Sequence, residues 1–243
     1  MKQPTDLIAR LKKLAPAGIE PAFKTGEELM AWQQEQGRKH AQNLARENQA
    51  KKMERSFGRS GIRELHRNCS FENYQAKTTQ QIMIKEKARQ YAADFGKTMA
   101  GFVFSGRPGT GKNHLAAAIC NALLLEGKTV MIITVADIMS AMRETFNSND
   151  SGRTEEKLID DLSSVDLLVI DEIGVQNESR YEKVIINQIV DRRTSSRRPT
   201  GMLTNLDEAG LNRQLGERVM DRMTMGHSMW LIFDWESYRS NIR

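Results

Sequence analysis

Long apolar runs are missing from this chain. No stretch approaches the roughly 18 consecutive apolar residues of a membrane helix, so a membrane-spanning role is not expected. The N-terminal stretch MKQPTDLIARLKKLAP is amphipathic and lacks the apolar centre and cleavage site of a secretion signal. Cysteine is scarce. Cys69 and Cys120 lie far apart and belong to no metal-binding motif, which excludes a disulfide framework and a structural zinc site and fits a reducing cytoplasm. Cys120 sits in an apolar helical stretch and reads as a buried, inert thiol. Internal repeats and low-complexity tracts are also absent. The first 65 or so residues hold few large apolar side chains, so any core there is thin.

What is present is a chain of 243 residues, 39% hydrophobic and 28% charged. That length suits one α/β domain with a smaller appendage. The net charge of +5 is unevenly spread. Between residues 38 and 67, Arg38, Lys39, Arg46, Lys51, Lys52, Arg55, Arg59, Arg63 and Arg67 face only Glu47, Glu54 and Glu64. A basic excess confined to one segment suggests a polyanion contact or a docking surface; a solvated basic helix is the plainer alternative.

Leu7, Leu11 and Leu14 form one apolar helical face before Pro16 and Gly18. TGEELMAW restarts a helix, with Thr25 and Glu28 spaced as a capping box. Leu29, Met30 and Trp32 add apolar bulk, for a partner helix or for packing within the module. RSFGRSGIRELHRNCSFENY has little periodicity and reads as a connector. Ile84, Ala88, Tyr91, Ala92 and Phe95 mark a further helix. From there short apolar strands alternate with helices: GFVFS (101–105), TVMIIT (129–134), VDLLVID (165–171), TGMLTN (200–205) and SMWLIF (228–233). Such alternation predicts a parallel sheet covered on both faces. The expected divisions are a helical module over 1–57, a linker over 58–75 and an α/β domain over 76–243.

GRPGTGKN, residues 106–113, directly follows the first strand and opens a helix, the context of a phosphate-binding loop. Gly106, Gly109 and Gly111 permit backbone angles that aim N–H groups at a phosphate, with Arg107, Pro108, Thr110 and His114 completing the stretch. The helix N-terminus adds partial positive charge, and Lys112 reaches the outer phosphates. The residue after the lysine, where a hydroxyl normally holds Mg²⁺, is Asn113. Its amide oxygen can also ligate a metal, from a different position, so Mg²⁺ binding with slow hydrolysis is expected. An apolar strand ending in Asp171-Glu172 follows about 60 residues later. Asp171 would hold Mg²⁺ and Glu172 would polarise the attacking water. Asn205, ending the fourth strand, can reach the γ-phosphate or that water, or serve as a simple turn residue.

The segments FVFSGRPGTGKNHLAAAICN, VMIITVADIMSAM, VDLLVIDEIGVQ, YEKVIINQIVDRR, RPTGMLTN and LGERVMDRM, with FKTGEELMAWQQEQG near the N-terminus, resemble the bacterial DnaC family of replicative-helicase loaders, which are AAA+ ATPases. The resemblance covers nearly the whole chain. It implies an AAA+ P-loop domain with strand order 5-1-4-3-2, preceded by a small helical domain. The chain ends ten residues after Phe233, so no C-terminal lid domain is expected. It implies ATP/ADP and Mg²⁺ as ligands, self-assembly into a spiral, and an arginine finger from a neighbouring subunit, with Arg222 preferred and Arg218 its rival. Arg239 matches the family's second sensor. Single-stranded DNA contacts are implied for Phe146, in a helical insertion after the second strand, and for Ser179, Arg180 and Tyr181. A DnaB-type helicase hexamer is the implied partner, met by Leu7, Leu11, Leu14, Leu29 and Trp32, and the cytoplasmic nucleoid the implied location. A transposition helper ATPase of the IstB type, which binds duplex DNA, shares the core and is the competing reading. A nucleotide-dependent DNA-binding module with no helicase partner is a third.

Overall fold

The computed structural model describes residues 23, 25–57, 61–147, 154–175 and 179–238. The chain divides into two units, Met1–Glu47 and Asn48–Arg243, with the boundary inside helix α1 (Gly26–Phe57).

Helix α1 starts as its sequence expects. Glu28 N donates to Thr25 Oγ1 at 3.1 Å and Thr25 N to Glu28 Oε2 at 3.3 Å, so two otherwise unpaired N–H groups are satisfied reciprocally. Glu27 and Glu28 favour the positive end of the helix dipole. In the first unit the helix is polar on nearly all sides. Leu29 is half-buried, Trp32 is 49% exposed, and the Trp32 ring lies 5.4 Å from that of Phe23. Further along, Met53 is fully buried in the core of the second unit, and Lys52 pairs with the buried Asp161 at 2.7 Å.

The second unit is built on one five-stranded parallel sheet in the order β2-β3-β4-β1-β5, as the resemblance implied. The strands are β1 (Phe102–Gly106), β2 (Val130–Thr134), β3 (Leu167–Ile173), β4 (Thr200–Thr204) and β5 (Met229–Phe233). Successive strand residues face opposite sides, and both sides are buried. Phe102, Phe104, Val130, Ile132, Leu167 and Val169 join one core with helices α2 (Thr79–Ala93) and α3 (Lys112–Leu125). Val103, Met131, Ile133, Leu168, Ile170 and Met202 join the other. That second core includes α4 (Val135–Asn147), α5 (Glu155–Ser164), α6 (Arg180–Ser195), α7 (Glu208–Leu215) and α8 (Glu217–Thr224). This double burial is why the strands read as continuous apolar runs.

Three local features stand out. First, the connector does more than connect. Gly61 O accepts Ile132 N at 3.1 Å along the outer edge of β2, and Ile62, Phe71 and Tyr74 are buried. Second, α2 is closed by a capping box between Thr78 and Gln81 and buries Ile84, Ala88 and Ala92 at helical spacing. Third, Arg193 is wholly buried where β3 and β4 begin. Its guanidinium donates to the carbonyls of Leu162, Val165, Asp166 and Pro199 and to Thr200 Oγ1, between 2.6 and 3.2 Å. Burial lowers its pKa to about 9. Among the described residues no helix is long and apolar enough to cross a membrane.

Candidate functional site

A parallel sheet opens its ligand crevice at the carboxyl ends of its strands. Here that edge borders a cavity of about 580 Å³, lined by residues 108–114, Asp171, Glu172, Leu203, Thr204 and Asn205. The connector contributes Cys69, Asn73 and Tyr74, and the segment after β5 contributes Trp235, Glu236 and Tyr238. Residues 108–114, the carboxylate pair and Asn205 were read from sequence. The other two groups were not, because neither segment has a repeating pattern.

The phosphate loop adopts the backbone its glycines allow. Gly109 and Gly111 have φ of 77° and 96°, where a side chain is strained. A Cβ at Gly111 would also meet the Tyr74 ring at 2.7 Å, and one at Gly109 would run into Ser237. Thr110 Oγ1 donates to Arg107 O at 2.8 Å, closing the loop on itself. His114 faces the connector, its Nε2 lying 2.8 Å from Asn73 Oδ1 and 3.1 Å from Ser70 O, with its ring edge-on to Tyr74.

Lys112 is 6% exposed. Its Nζ donates to the carbonyls of Gly106 and Arg107 at 2.6 and 2.8 Å and to Asn205 Oδ1 at 2.9 Å. Burial lowers its pKa to about 8, opposed by the charge of Asp171. Beside it, Asn113 Nδ2 donates to Asp171 Oδ2 at 2.6 Å. Burial raises the pKa of Asp171, and hydrogen bonds from Glu172 N and Asn113 oppose the rise. Lys112 is thus joined to Asn205, and Asn113 to Asp171.

Two adjacent strand residues ordinarily point to opposite faces, yet Asp171 and Glu172 both line the cavity. The register explains it. Ile170 pairs with Met202 and Ile173 with Thr204, so β3 carries one residue more than β4. This is a bulge. Glu172 takes a φ of 60°, a left-handed conformation uncommon for a residue with a side chain. The strain falls on the residue expected to act on water.

These residues fit a nucleotide and its metal. The loop presents backbone N–H groups at the start of α3, Lys112 is held by neutral acceptors that a phosphate can replace, and the cavity is large enough for a small ligand. Among the described residues no cluster of three or more His, Cys, Asp or Glu side chains could hold a metal. Mg²⁺ typically takes one or two protein ligands plus phosphate and water; Asn113 Oδ1 and Asp171 are the oxygens that could hold it.

The remaining expected residues fall elsewhere. Arg218 and Arg222 converge on Asp191 of α6, at 2.5 and 2.7 Å, with Arg218 the more exposed, and neither lines the cavity. Phe146 and Tyr181 are brought together, ring centroids 6.3 Å apart, and Phe146 is 65% exposed. The Tyr181 hydroxyl is held by Glu155. Ser179 caps α6, its Oγ accepting from Glu182 N at 3.0 Å. Leu7, Leu11, Leu14 and Arg239 lie outside the described residues.

The family model described as IstB-like ATP binding protein matches residues 9–243. The chain is 65% identical over 242 residues to the replicative helicase loader DnaC of Escherichia coli (strain K12), covering all of this chain and 98% of that one. Among solved structures it is similar to a DnaC helicase loader, with a TM-score of 0.62 and 22% identity over 70% of this chain and 99% of that one. It is also similar to AMPPCP-bound DnaA from Aquifex aeolicus, with a TM-score of 0.59 and 18% identity over 70% of this chain and 52% of that one. At these identities the two structures speak to the fold.

Proposed function

The chain belongs to the IstB-like ATP-binding family and, within it, to the DnaC-type replicative helicase loaders; from that premise we propose that it loads a hexameric DnaB-type helicase onto single-stranded DNA in an ATP-dependent way. The observation that carries the nucleotide half is the convergence of Lys112, Asn113, Asp171, Glu172 and Asn205 on one cavity. The helicase half is supported by full-length likeness to a protein named for that role.

In this reading the loop amides and Lys112 hold the β and γ phosphates, with Lys112 leaving the Gly106 and Arg107 carbonyls to do so. Mg²⁺, when bound by Asn113 and Asp171, neutralises phosphate charge and orients the γ-phosphoryl group. Glu172 polarises water and Asn205 positions the γ-phosphate. The finger, Arg222 by preference or Arg218, comes from a neighbouring copy in a spiral assembly. Its guanidinium leaves Asp191 to neutralise charge building on the phosphate oxygens, so hydrolysis is slow until subunits assemble. Arg239 is the proposed second sensor. The N-terminal module and the α/β domain divide the labour. The first docks on the helicase through Leu7, Leu11, Leu14, Leu29 and Trp32, and the second grips DNA and nucleotide. The ATP state holds the helicase ring open, and turnover releases the loader.

The exposed Phe146–Tyr181 pair gives single-stranded bases a stacking surface. Phe146→Ala and Tyr181→Ala are each expected to weaken binding of a fluorescent single strand by about 1–3 kcal/mol, with ATP binding unchanged. Equal loss of both activities would point to misfolding.

The second reading is an IstB-type helper that binds duplex DNA with a transposase; the family model shares the IstB name. Co-purification separates the two. A loader is recovered with a replicative helicase hexamer when ATP and Mg²⁺ are present. Absence of that complex, with recovery on duplex DNA instead, would favour the helper.

A further inference from the structure

We propose that Trp235 and Tyr238, in the segment after β5, hold the phosphate loop in its binding form by occupying its outward carbonyls, which makes Trp235 a positioning residue for the nucleotide. The proposal rests on the nucleotide reading above and adds a device to that site.

A peptide group is planar, and no described peptide bond is cis. Fixing where a carbonyl points therefore fixes the N–H of the next residue on the opposite side. Gly109 O accepts the backbone N–H of Tyr238 at 2.8 Å, which sets the N–H of Thr110. Thr110 O accepts Trp235 Nε1 at 3.1 Å, which sets the N–H of Gly111; the Tyr74 hydroxyl reaches the same oxygen from the connector side at 3.5 Å. Gly111 O is taken within α3 by Leu115 N at 3.1 Å. These carbonyls are drawn away from the cradle, and the opposite N–H groups are left to face a phosphate.

The holders of this loop are not equivalent. Lys112 occupies the Gly106 and Arg107 carbonyls and must release them to meet a phosphate. Trp235 and Tyr238 take different carbonyls, those of Thr110 and Gly109, which Lys112 does not touch, so in this proposal they need not let go for a ligand to enter. Trp235 is itself fixed to the sheet. Its ring lies 5.1 Å from the buried Phe233, which ends β5, and Phe233 O also accepts Arg107 N at 3.0 Å. Gly109 lacks a side chain at the point where Ser237 presses on it. The tail and the loop are therefore one packed structure, with the tail setting the direction of the loop's amides.

The test is Trp235→Phe, which keeps an aromatic ring on Phe233 and removes the N–H donor. ADP with Mg²⁺ is the probe, since it lacks the γ-phosphate that Arg239 would sense. ADP affinity is expected to fall about 3- to 10-fold, the worth of one hydrogen bond. Hydrogen exchange of the 110–111 amides in the nucleotide-free protein is expected to quicken, while β3 amides stay as in the parent. A merely structural role would quicken both together. A chain ending at Asp234 removes both donors and is expected to lose more, about 10- to 100-fold. Parent-like ADP affinity and loop exchange in Trp235→Phe would overturn the proposal. If that variant does not fold, parent-like ADP binding by the chain ending at Asp234 would overturn it equally. A parent protein that binds no ADP would instead bring down the nucleotide reading, and this proposal with it.

Discussion

Two cations are buried at opposite edges of the same sheet, and they differ in what holds them. Arg193, where β3 and β4 begin, is wholly enclosed and spends its guanidinium on four carbonyls and a hydroxyl that belong to fixed elements. Lys112, at the carboxyl edge, is nearly as buried but meets two loop carbonyls and one amide oxygen beside a cavity. Burying a cation is costly unless its donors are satisfied. At Arg193 satisfaction is complete and permanent, and it ties together the ends of α5, β3 and β4. At Lys112 it is provisional, since neutral acceptors can give way to a phosphate. The difference separates a structural cation from a working one.

That contrast can be broken at either edge. The largest expected effect is at Arg193. Arg193→Met leaves its buried acceptors without donors and should cost about 3–5 kcal/mol of stability, lowering the melting temperature by about 10 °C. Nucleotide affinity of the folded fraction should be unchanged, and a loss of affinity without a loss of stability would erase the distinction. Lys112→Ala should do the reverse. ADP affinity should fall on the order of 100-fold as a charge-assisted contact is lost, while the melting temperature moves by less than about 2 °C. Glu172→Gln sharpens the picture within the carboxyl edge. Binding is expected to remain and ATP turnover to fall on the order of 100-fold, measured as phosphate release in the presence of DNA. The smallest effect is expected at Asn113. Asn113→Thr places a hydroxyl where Mg²⁺ is commonly held and should raise turnover by roughly several-fold; an unchanged or lower rate would count against the idea that Asn113 slows it.

The carboxyl edge was legible in sequence where chemistry is written in short motifs. Residues 108–114 of the loop and helix start, the carboxylate pair and Asn205 all line the cavity, because strand-turn-helix context fixes where such residues go. The strands were legible because burial on both faces leaves continuous apolar runs. Other parts were hidden for physical reasons. The bulge that turns Glu172 into the cavity depends on pairing between β3 and β4, which a single strand does not reveal. Tyr74, Trp235 and Tyr238 come from segments without periodicity, and their roles arise from backbone carbonyls that have no letter of their own. Arg193 stands in a polar run, VDRRTSSRR, that looks like a solvated helix end. Met53 lies within a basic helix and gives no hint that it joins the second core.

A closed circle of single-stranded DNA tests the account most directly, since a helicase ring has no end to thread and must be opened. Mixed with a replicative helicase hexamer, ATP and Mg²⁺, this protein should leave the helicase bound to the circle after washing, and Lys112→Ala should leave far less. Equal recovery of helicase with and without the protein would contradict the loader reading.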